Sequence, residues 1–256
     1  MKQTKVYYNK LFQGDCLDVM GRLPEDSVDM VLCDLPYGVL NKSNDKARWD
    51  CQVPLDALWK QYRRVCKENA AIVLFSQGMF TAQLMMSRPD IWRYNLVWDK
   101  CTTTGFLNAN RMPLRQHEDI CVFYRSLPVY NPQMKTGIIH SRQHGNAVNH
   151  CYGNYTQAPV SYSEEYYPTS IIKFSKAVAI TKAWHPTVKP EEILRYLILT
   201  YTNPGALVLD NTMGSGSTCV AAVKEHRRFI GIEKEKRYYD IAVKRVKMAR
   251  SEPELF

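Results

Sequence analysis

The hydrophobic positions of the chain fall into short apolar runs separated by longer segments with helical spacing. Short apolar runs that are partly β-branched and bounded by turn residues are typical of buried strands. The pattern predicts strands at residues 28–33, 70–75, 94–98, 120–124, 206–209 and 229–232, and helices at 54–69, 78–87, 191–201, 218–226 and 236–250. Strands that alternate with helices indicate an α/β fold with a mostly parallel, twisted sheet and helices on both faces.

The alternation stops between residues 125 and 184, where apolar repeats become rare. A long stretch without regular structure is usually functional or disordered. This one carries Tyr130, Arg142, Tyr152, Tyr155 and Lys173, which are side chains suited to gripping nucleic acid. We therefore expect one domain, formed by residues 1–124 and 185–256, with residues 125–184 as an insertion.

Composition restricts the partners and the compartment. The chain has 256 residues, 45% of them hydrophobic, and its formal net charge of +9 favours a polyanionic partner because Lys and Arg displace counterions from phosphates. Its eight cysteines show no zinc-site spacing, so we expect reduced thiols and no metal. We find no signal peptide or membrane span in the sequence and expect a cytoplasmic protein without a membrane partner.

A glycine loop follows the predicted strand at 206–209. Gly214 and Gly216 let a ligand approach the backbone, and the next helix N-terminus favours an anionic group. The loop lacks the lysine of a phosphate-binding loop, and Cys219 replaces the third glycine of the dinucleotide fingerprint. Glu233, at the end of the next strand, can accept hydrogen bonds from a ribose diol. A nucleoside with a carboxylate tail satisfies both ends, so we predict S-adenosylmethionine as the cofactor. The predicted contacts are Asp210, Asn211, Gly214, Ser215, Gly216, Ser217 and Glu233.

The tetrapeptide Asp34-Leu35-Pro36-Tyr37 directly follows another predicted strand. An exocyclic amino nitrogen of a base is a poor nucleophile because its lone pair is delocalised into the ring. The Asp34 carboxylate and a backbone carbonyl of Leu35 or Pro36 are suited to accept its two hydrogens, and Tyr37 offers a ring face to a base extruded from the duplex. We predict these four residues to be catalytic in methyl transfer to an amino group of DNA, without a metal or a covalent intermediate.

These motifs together resemble the DNA amino-methyltransferases, specifically the permuted β group, in which the catalytic motif precedes the cofactor motif. The resemblance spans most of the chain: residues 34–37 are similar to the catalytic motif, 71–75 to the strand after it, 115–124 to the lining of the target pocket, 210–217 to the glycine motif and 231–233 to the ribose motif. It implies a Rossmann-like methyltransferase fold with circularly permuted motif order. Residues 1–124 would then be the catalytic half, 125–184 the target-recognition insertion and 185–256 the cofactor-binding half.

The resemblance also implies further cofactor contacts. Residues 13–17 resemble the cofactor-adenine motif, which makes Asp15 a contact, and Asp34 is expected to touch the cofactor as well as the target. Residues 185–190 resemble the His-Pro-Thr-x-Lys-Pro motif, which implies that Thr187 and Lys189 help hold the methionine end.

The chain departs from the family pattern at two places. Leu35 stands where the catalytic motif usually has proline, and Asn211 and Thr212 stand where the glycine motif usually has Pro-Phe. Neither change removes a chemically necessary group, so we expect an active enzyme, although the resemblance does not specify how Thr212 packs. Aspartate as the first motif residue is more typical of adenine-N6 members than of cytosine-N4 members, which often carry serine. Adenine N6 is therefore the predicted target, with cytosine N4 as the alternative.

A polar segment directly after the catalytic turn contains the candidate DNA contacts Lys42, Lys46, Arg48 and Trp49. Its charges favour a loop that touches phosphates of double-stranded DNA. An RNA methyltransferase and an inactive DNA- or cofactor-binding partner are alternatives, although the presence of both Asp34 and Tyr37 favours an enzyme. The sequence leaves open a homodimer, the recognised DNA site and a pairing with a restriction enzyme.

Overall fold

The computed structural model describes residues 7–38, 51–142, 161–175 and 188–251. The strands are β1 (Lys10–Gln13), β2 (Val28–Asp34), β3 (Cys66–Ser76), β4 (Trp92–Thr104), β5 (Arg115–Phe123), β6 (Lys135–Arg142), β7 (Ser161–Tyr166), β8 (Ile171–Lys173), β9 (Leu207–Asp210) and β10 (Arg228–Glu233). The helices are α1 (Cys16–Met20), α2 (Leu55–Val65), α3 (Met79–Ser87), α4 (Glu191–Tyr201), α5 (Ser217–Lys224) and α6 (Lys236–Ser251). A short 3-10 turn spans Phe106–Asn108.

Eight of the described strands form one sheet in the order β1-β10-β9-β2-β3-β5-β4-β8. Neighbouring strands are parallel except at β5, which runs antiparallel to both β3 and β4. Strand β1 pairs with β10, and β2 pairs with β9, so the beginning and the end of the chain share the sheet. The carboxyl ends of β2, β9 and β10 therefore lie at one edge, together with the start of the antiparallel strand β5.

Hydrophobic side chains cover both faces of this sheet. Along β2 the side chains alternate, so that Val31 and Cys33 join the cluster containing α1, α2 and α3, whereas Met30 and Leu32 join the cluster containing α4, α5 and α6. A central strand buried on both faces requires apolar residues at successive positions, as the sequence of β2 shows. The predicted α/β class, with a mostly parallel sheet between two helical layers, is confirmed.

The boundaries of one predicted helix were wrong. The helix expected over residues 54–69 ends at Val65, because Cys66 is already extended and begins β3. The added length lets β3 pair with the start of β2, where Val28 faces Cys66 and the Lys67 ammonium contacts the Asp29 carboxylate at 2.6 Å. Tertiary pairing thus decides residues 66–69, whose polar pattern favours neither state. The short elements β1 and α1 were not predicted.

The expectation that residues 125–184 lack regular structure was wrong for their described part. Strand β8 joins the edge of the main sheet beside β4, and β6 pairs antiparallel with β7 in a separate two-stranded sheet. Residues 132–169 belong to a compact unit distinct from the one containing residues 1–131 and 170–256. Strand β6 has only the two adjacent apolar residues Ile138 and Ile139, and β7 is mostly polar, so neither forms the apolar run by which the other strands were predicted. The role of residues 125–184 as a target-recognition insertion remains a prediction.

Among the described helices, none combines the length and apolar character needed to cross a bilayer. Within the same part of the chain, no group of three or more His, Cys, Asp or Glu residues is arranged to hold a metal ion.

Candidate active site

A cavity of about 820 Å³ opens at the carboxyl-terminal edge of the main sheet. Crevices at this edge are the usual ligand sites of open α/β sheets, and the volume suits a nucleoside-sized ligand. The predicted site residues that line it are Asp15, Asp34, Leu35, Pro36, Tyr37, Lys189, Asp210, Asn211, Gly214, Ser215, Ser217 and Glu233. The structure therefore brings the predicted catalytic turn and the predicted cofactor loop to one cavity.

Five residues predicted to contact DNA or the cofactor cannot be assigned a position relative to this cavity. Lys42, Lys46, Arg48, Trp49 and Thr187 lie outside the described residues.

The catalytic turn is held by hydrogen bonds to both oxygens of Asp34. The Tyr37 hydroxyl donates to Oδ1 at 2.9 Å, and the Lys189 ammonium donates to Oδ2 at 2.7 Å. Burial raises the pKa of Asp34, and the Lys189 charge opposes this effect. Burial and the nearby Asp34 charge raise the pKa of Tyr37 well above its ordinary value, so Tyr37 remains a hydrogen-bond donor.

The departure from proline at the second position of the motif is explained by packing. Leu35 is buried and joins the hydrophobic cluster on the α1, α2 and α3 side of the sheet. The Tyr37 ring lies 5.1 Å from the Phe80 ring, which fixes the far end of the turn against α3. Side-chain burial at both ends thus stabilises a turn that has one proline fewer than the family pattern.

The ammonium of Lys189 contacts a second carboxylate that the sequence analysis did not single out. Its Nζ lies 3.2 Å from Glu118 Oε2, and Glu118 Oε1 lies 3.4 Å from Lys100 Nζ. Burial lowers the pKa of Lys189, but Asp34 and Glu118 outweigh burial and raise it. Lys189 was predicted to hold the methionine end of the cofactor; that role remains a prediction, and the contacts of its ammonium here are to the two carboxylates. The only available signal for Glu118 was its position just before a buried strand, in the segment that resembles the target-pocket lining.

The glycine loop begins with a buried carboxylate. Asp210 is 4% exposed, and burial raises its pKa to about 7. The backbone N–H of Thr212 donates to its Oδ1 at 3.2 Å. The neighbouring Asn211 accepts a hydrogen bond from the Tyr62 hydroxyl at 2.6 Å, a contact with α2 that sequence spacing could not reveal.

Thr212 connects the glycine loop directly to the catalytic turn. Its hydroxyl donates to the backbone carbonyl of Asp34 at 3.1 Å and lies 2.9 Å from the Cys33 thiol. A polar tie between strands β2 and β9 thus occupies the position where the family usually has an aromatic residue.

The remaining loop contacts fix its shape. Glu233 accepts hydrogen bonds from the backbone N–H groups of Gly214, at 2.9 Å, and Glu235, at 2.7 Å. Gly216 has a φ of +80°, and a Cβ there would lie 2.8 Å from the Cβ of Ala242 in α6. It therefore serves the turn and the packing of α6, and it does not line the cavity, although it was predicted as a cofactor contact.

Helix α6 contributes one side chain to the loop. Basic residues along a helix are usually expected to form a solvated face, but the Arg245 guanidinium donates to the Ser215 carbonyl at 2.7 Å and to the hydroxyls of Ser215 and Ser217 at 3.0 Å each. That expectation was wrong for Arg245, because the helix packs across the loop and covers this side chain.

The chain is similar to known methyltransferases over nearly its whole length. It is 26% identical to the Type II methyltransferase M.HinfI of Haemophilus influenzae, covering 96% of this chain and 70% of the relative. It is 24% identical to the DNA adenine methyltransferase YhdJ of Escherichia coli (strain K12), covering 93% of this chain and 83% of the relative.

Solved structures with the same fold include the M1.HpyAVI–SAM complex, with 21% identity, a TM-score of 0.62 and coverage of 93% of this chain and 98% of that one. The cytosine-N4-specific PvuII DNA methyltransferase aligns with 14% identity, a TM-score of 0.68 and coverage of 96% and 87%. At these identities the likeness establishes the fold, and the predicted Rossmann-like methyltransferase fold is confirmed.

The model of a family described as DNA methylase matches residues 28–244, a span that contains both the catalytic turn and the glycine loop. The chain belongs to this DNA methylase family.

Proposed function

We propose that this chain is a site-specific DNA methyltransferase that moves a methyl group from S-adenosylmethionine to N6 of adenine. One observation carries the proposal: the carboxylate that ends β2 and the glycine loop that follows β9 line the same cavity, with Glu233 at the end of β10. Membership of the DNA methylase family supports methyl transfer to DNA. The similarity to a DNA adenine methyltransferase supports adenine as the target.

The groups around the glycine loop fit the proposed cofactor. Glu233 supplies carboxylate oxygens for the ribose, and the loop supplies a close backbone approach at Gly214. Asp15 accepts a hydrogen bond from the Leu17 N–H at 3.0 Å and caps α1. It lies beside the end of β10, 3.5 Å from the Lys234 ammonium, where the cofactor adenine is expected. The cofactor supplies a methyl group already activated by its sulfonium charge.

The residues of the catalytic turn then act on the target amino group. Asp34 accepts one amino hydrogen, and a backbone carbonyl of Leu35 or Pro36 accepts the other. Both contacts draw the nitrogen away from planarity and direct its lone pair to the methyl group. The Tyr37 hydrogen bond fixes the Asp34 carboxylate, so that little reorganisation is required when the base arrives.

The target base must leave the duplex to reach this cavity, so the proposal includes base flipping from double-stranded DNA. Residues 125–184 would recognise the site, and the basic segment with Lys42, Lys46 and Arg48 would contact the backbone. The Type II label of the relative M.HinfI supports a restriction-modification setting. A cytoplasmic location, a homodimer and independence from metal ions are further parts of the proposal.

The experiment uses purified full-length protein, S-adenosylmethionine with a labelled methyl group, and plasmid DNA. Nucleosides released from the DNA are separated by chromatography, and we expect label in N6-methyladenine. Asp34→Asn removes the charge of the main acceptor and should lower the rate by about 100-fold or more. Asp56→Asn, at an exposed carboxylate of α2, is the matched control and should leave the rate unchanged.

Three outcomes would overturn parts of this proposal. Label in N4-methylcytosine would replace adenine by the cytosine alternative. Transfer to RNA without transfer to DNA would exclude a DNA methyltransferase, and equal rates for Asp34→Asn and the wild type would exclude the catalytic role of Asp34.

A further inference from the structure

Four charged side chains form a row that leads from the cavity into the protein. The Asp34 carboxylate contacts Lys189 at 2.7 Å, Lys189 contacts Glu118 at 3.2 Å, and Glu118 contacts Lys100 at 3.4 Å. The side chain of Asp34 is 27% exposed, whereas that of Lys100 at the inner end is 3% exposed. The row is electrically balanced, which is the condition for keeping charges away from water.

Lys189 is held between two carboxylates and two rings. Its Nζ lies 5.1 Å from the centre of the Phe75 ring and 5.9 Å from the centre of the Tyr37 ring. The ammonium donates a hydrogen bond to Asp34 on one side, and its charge faces Glu118 on the other. Within the described residues, Glu118 Oε2 is buried and accepts no hydrogen bond of regular geometry, so its contact with Lys189 is electrostatic. The position of the ammonium therefore depends on the balance between the two carboxylates.

This balance decides how well Asp34 can accept the target amino group. A carboxylate offers about four lone-pair positions, of which Tyr37 and Lys189 use two. A lysine with a single anionic partner would bind Asp34 more tightly and withdraw electron density from the oxygen that the base needs. A second carboxylate on the far side of the ammonium reduces this effect without removing the positive charge.

We propose that Glu118 is a positioning residue for methyl transfer: it holds the Lys189 ammonium between two carboxylates, so that the ammonium does not bind Asp34 alone and Asp34 keeps an oxygen lone pair for the target amino group. This inference rests on the proposed function. Lys100 completes the arrangement by compensating the charge of Glu118 from the inner side.

The titratable groups that face Asp34 come from four parts of the chain: Tyr37 in its own turn, Lys189 before α4, Glu118 in β5 and Asp210 in β9. Burial raises the pKa of Asp34, Lys189 lowers it and Glu118 raises it. Removing Lys189 or Glu118 should therefore move the pKa of Asp34 in opposite directions. A loss of packing alone would not produce this pair of shifts.

The test is the single-turnover rate of DNA methylation as a function of pH. Rates in a single turnover report chemistry without product release. Asp34 acts as a carboxylate, so the rate falls as pH decreases through its pKa. Lys189→Met should shift this decrease in rate to higher pH, whereas Glu118→Gln should shift it to lower pH. Glu118→Gln should also lower the rate at the high-pH plateau by about tenfold, which corresponds to about 1.4 kcal/mol.

Two controls separate positioning from damage to the fold. The affinity of Glu118→Gln for S-adenosylmethionine should differ from the wild-type affinity by less than about twofold, because the substitution alters the contacts of Lys189 and Asp34. A difference below about twofold is of the size that substitutions outside such contacts produce. Glu192→Gln, at an exposed carboxylate in the first turn of α4, removes a charge from the same region and should match the wild type. If Glu118→Gln does not fold, Lys100→Met carries the test: Glu118 then loses its inner cation and attracts Lys189 away from Asp34, so the fall should move to higher pH.

A Glu118→Gln profile that superimposes on the wild-type profile would overturn the positioning role. An unchanged Lys100→Met profile would overturn it when Glu118→Gln is unfolded. Failure of the proposed function would look different, because the wild type itself would then transfer no methyl group to DNA.

Discussion

The buried carboxylate of Asp210 should make the stability of this protein depend on pH near neutrality. Its pKa rises from an ordinary value of 3.8 to about 7 because the side chain is desolvated at the start of the glycine loop. At a pH above about 7, this shift lowers the free energy of unfolding by roughly 4 kcal/mol relative to a carboxyl with an ordinary pKa, since each pKa unit is about 1.4 kcal/mol. The perturbation that exposes this cost is Asp210→Asn, which keeps the side-chain shape and the acceptor for Thr212 but never ionises.

The direction of the pH dependence is decided by whether the folded or the unfolded protein binds the Asp210 proton more tightly. The folded protein has the higher pKa, so it favours the protonated carboxyl, and the contribution of Asp210 is fully present below about pH 4 and is lost as pH rises to about 7. Asp210→Asn should therefore be more stable than the wild type, and this difference should grow by about 3 kcal/mol between about pH 5 and about pH 8. It should be constant above that range.

Urea unfolding followed by circular dichroism measures the free energy of unfolding of both proteins across this range. Asp56→Asn, at an exposed position, is the control and should run parallel to the wild type. We also expect Asp210→Asn to bind S-adenosylmethionine more weakly in calorimetry, because a costly buried charge in a cofactor loop indicates use in binding. A stability difference between Asp210→Asn and the wild type that does not vary with pH would refute the reasoning.

Two further predictions concern the packing around the cavity. Thr212→Val should lose the hydrogen bond to the Asp34 carbonyl and lower the single-turnover rate about 2- to 10-fold. Thr212→Ser keeps the hydroxyl and should retain the wild-type rate. Equal rates for the two variants would contradict a role for the hydroxyl. Gly231→Ala should lower the free energy of unfolding in urea by about 1 to 3 kcal/mol, because its Cβ would overlap with the sulfur of Met213. Gly21→Ala, whose Cβ would meet no atom closer than 3.4 Å, should cost much less, and an equal loss in both variants would argue against overpacking.

Much of the architecture was predictable because the central strands are buried on both faces. Strand β2 must then be apolar at successive positions, and α4 must repeat apolar residues at helical spacing, so both appear directly in the sequence. Residues 66–69 lacked such a signal. Their conformation depends on pairing with β2, and a strand partner distant in the chain is invisible to local periodicity.

The sequence by itself determined the α/β class, the order of the motifs and the residue types of the candidate site, because turn chemistry, glycine positions and hydrophobic period are local properties. Only the tertiary structure decided which charges meet. The contacts of Lys189 with Asp34 and Glu118, and of Thr212 with the Asp34 carbonyl, join residues brought together by the pairing of β2 with β3 and β9 and of β3 with β5. Electrostatic interaction depends on distance and burial, and neither quantity is written in the spacing of residues along a chain.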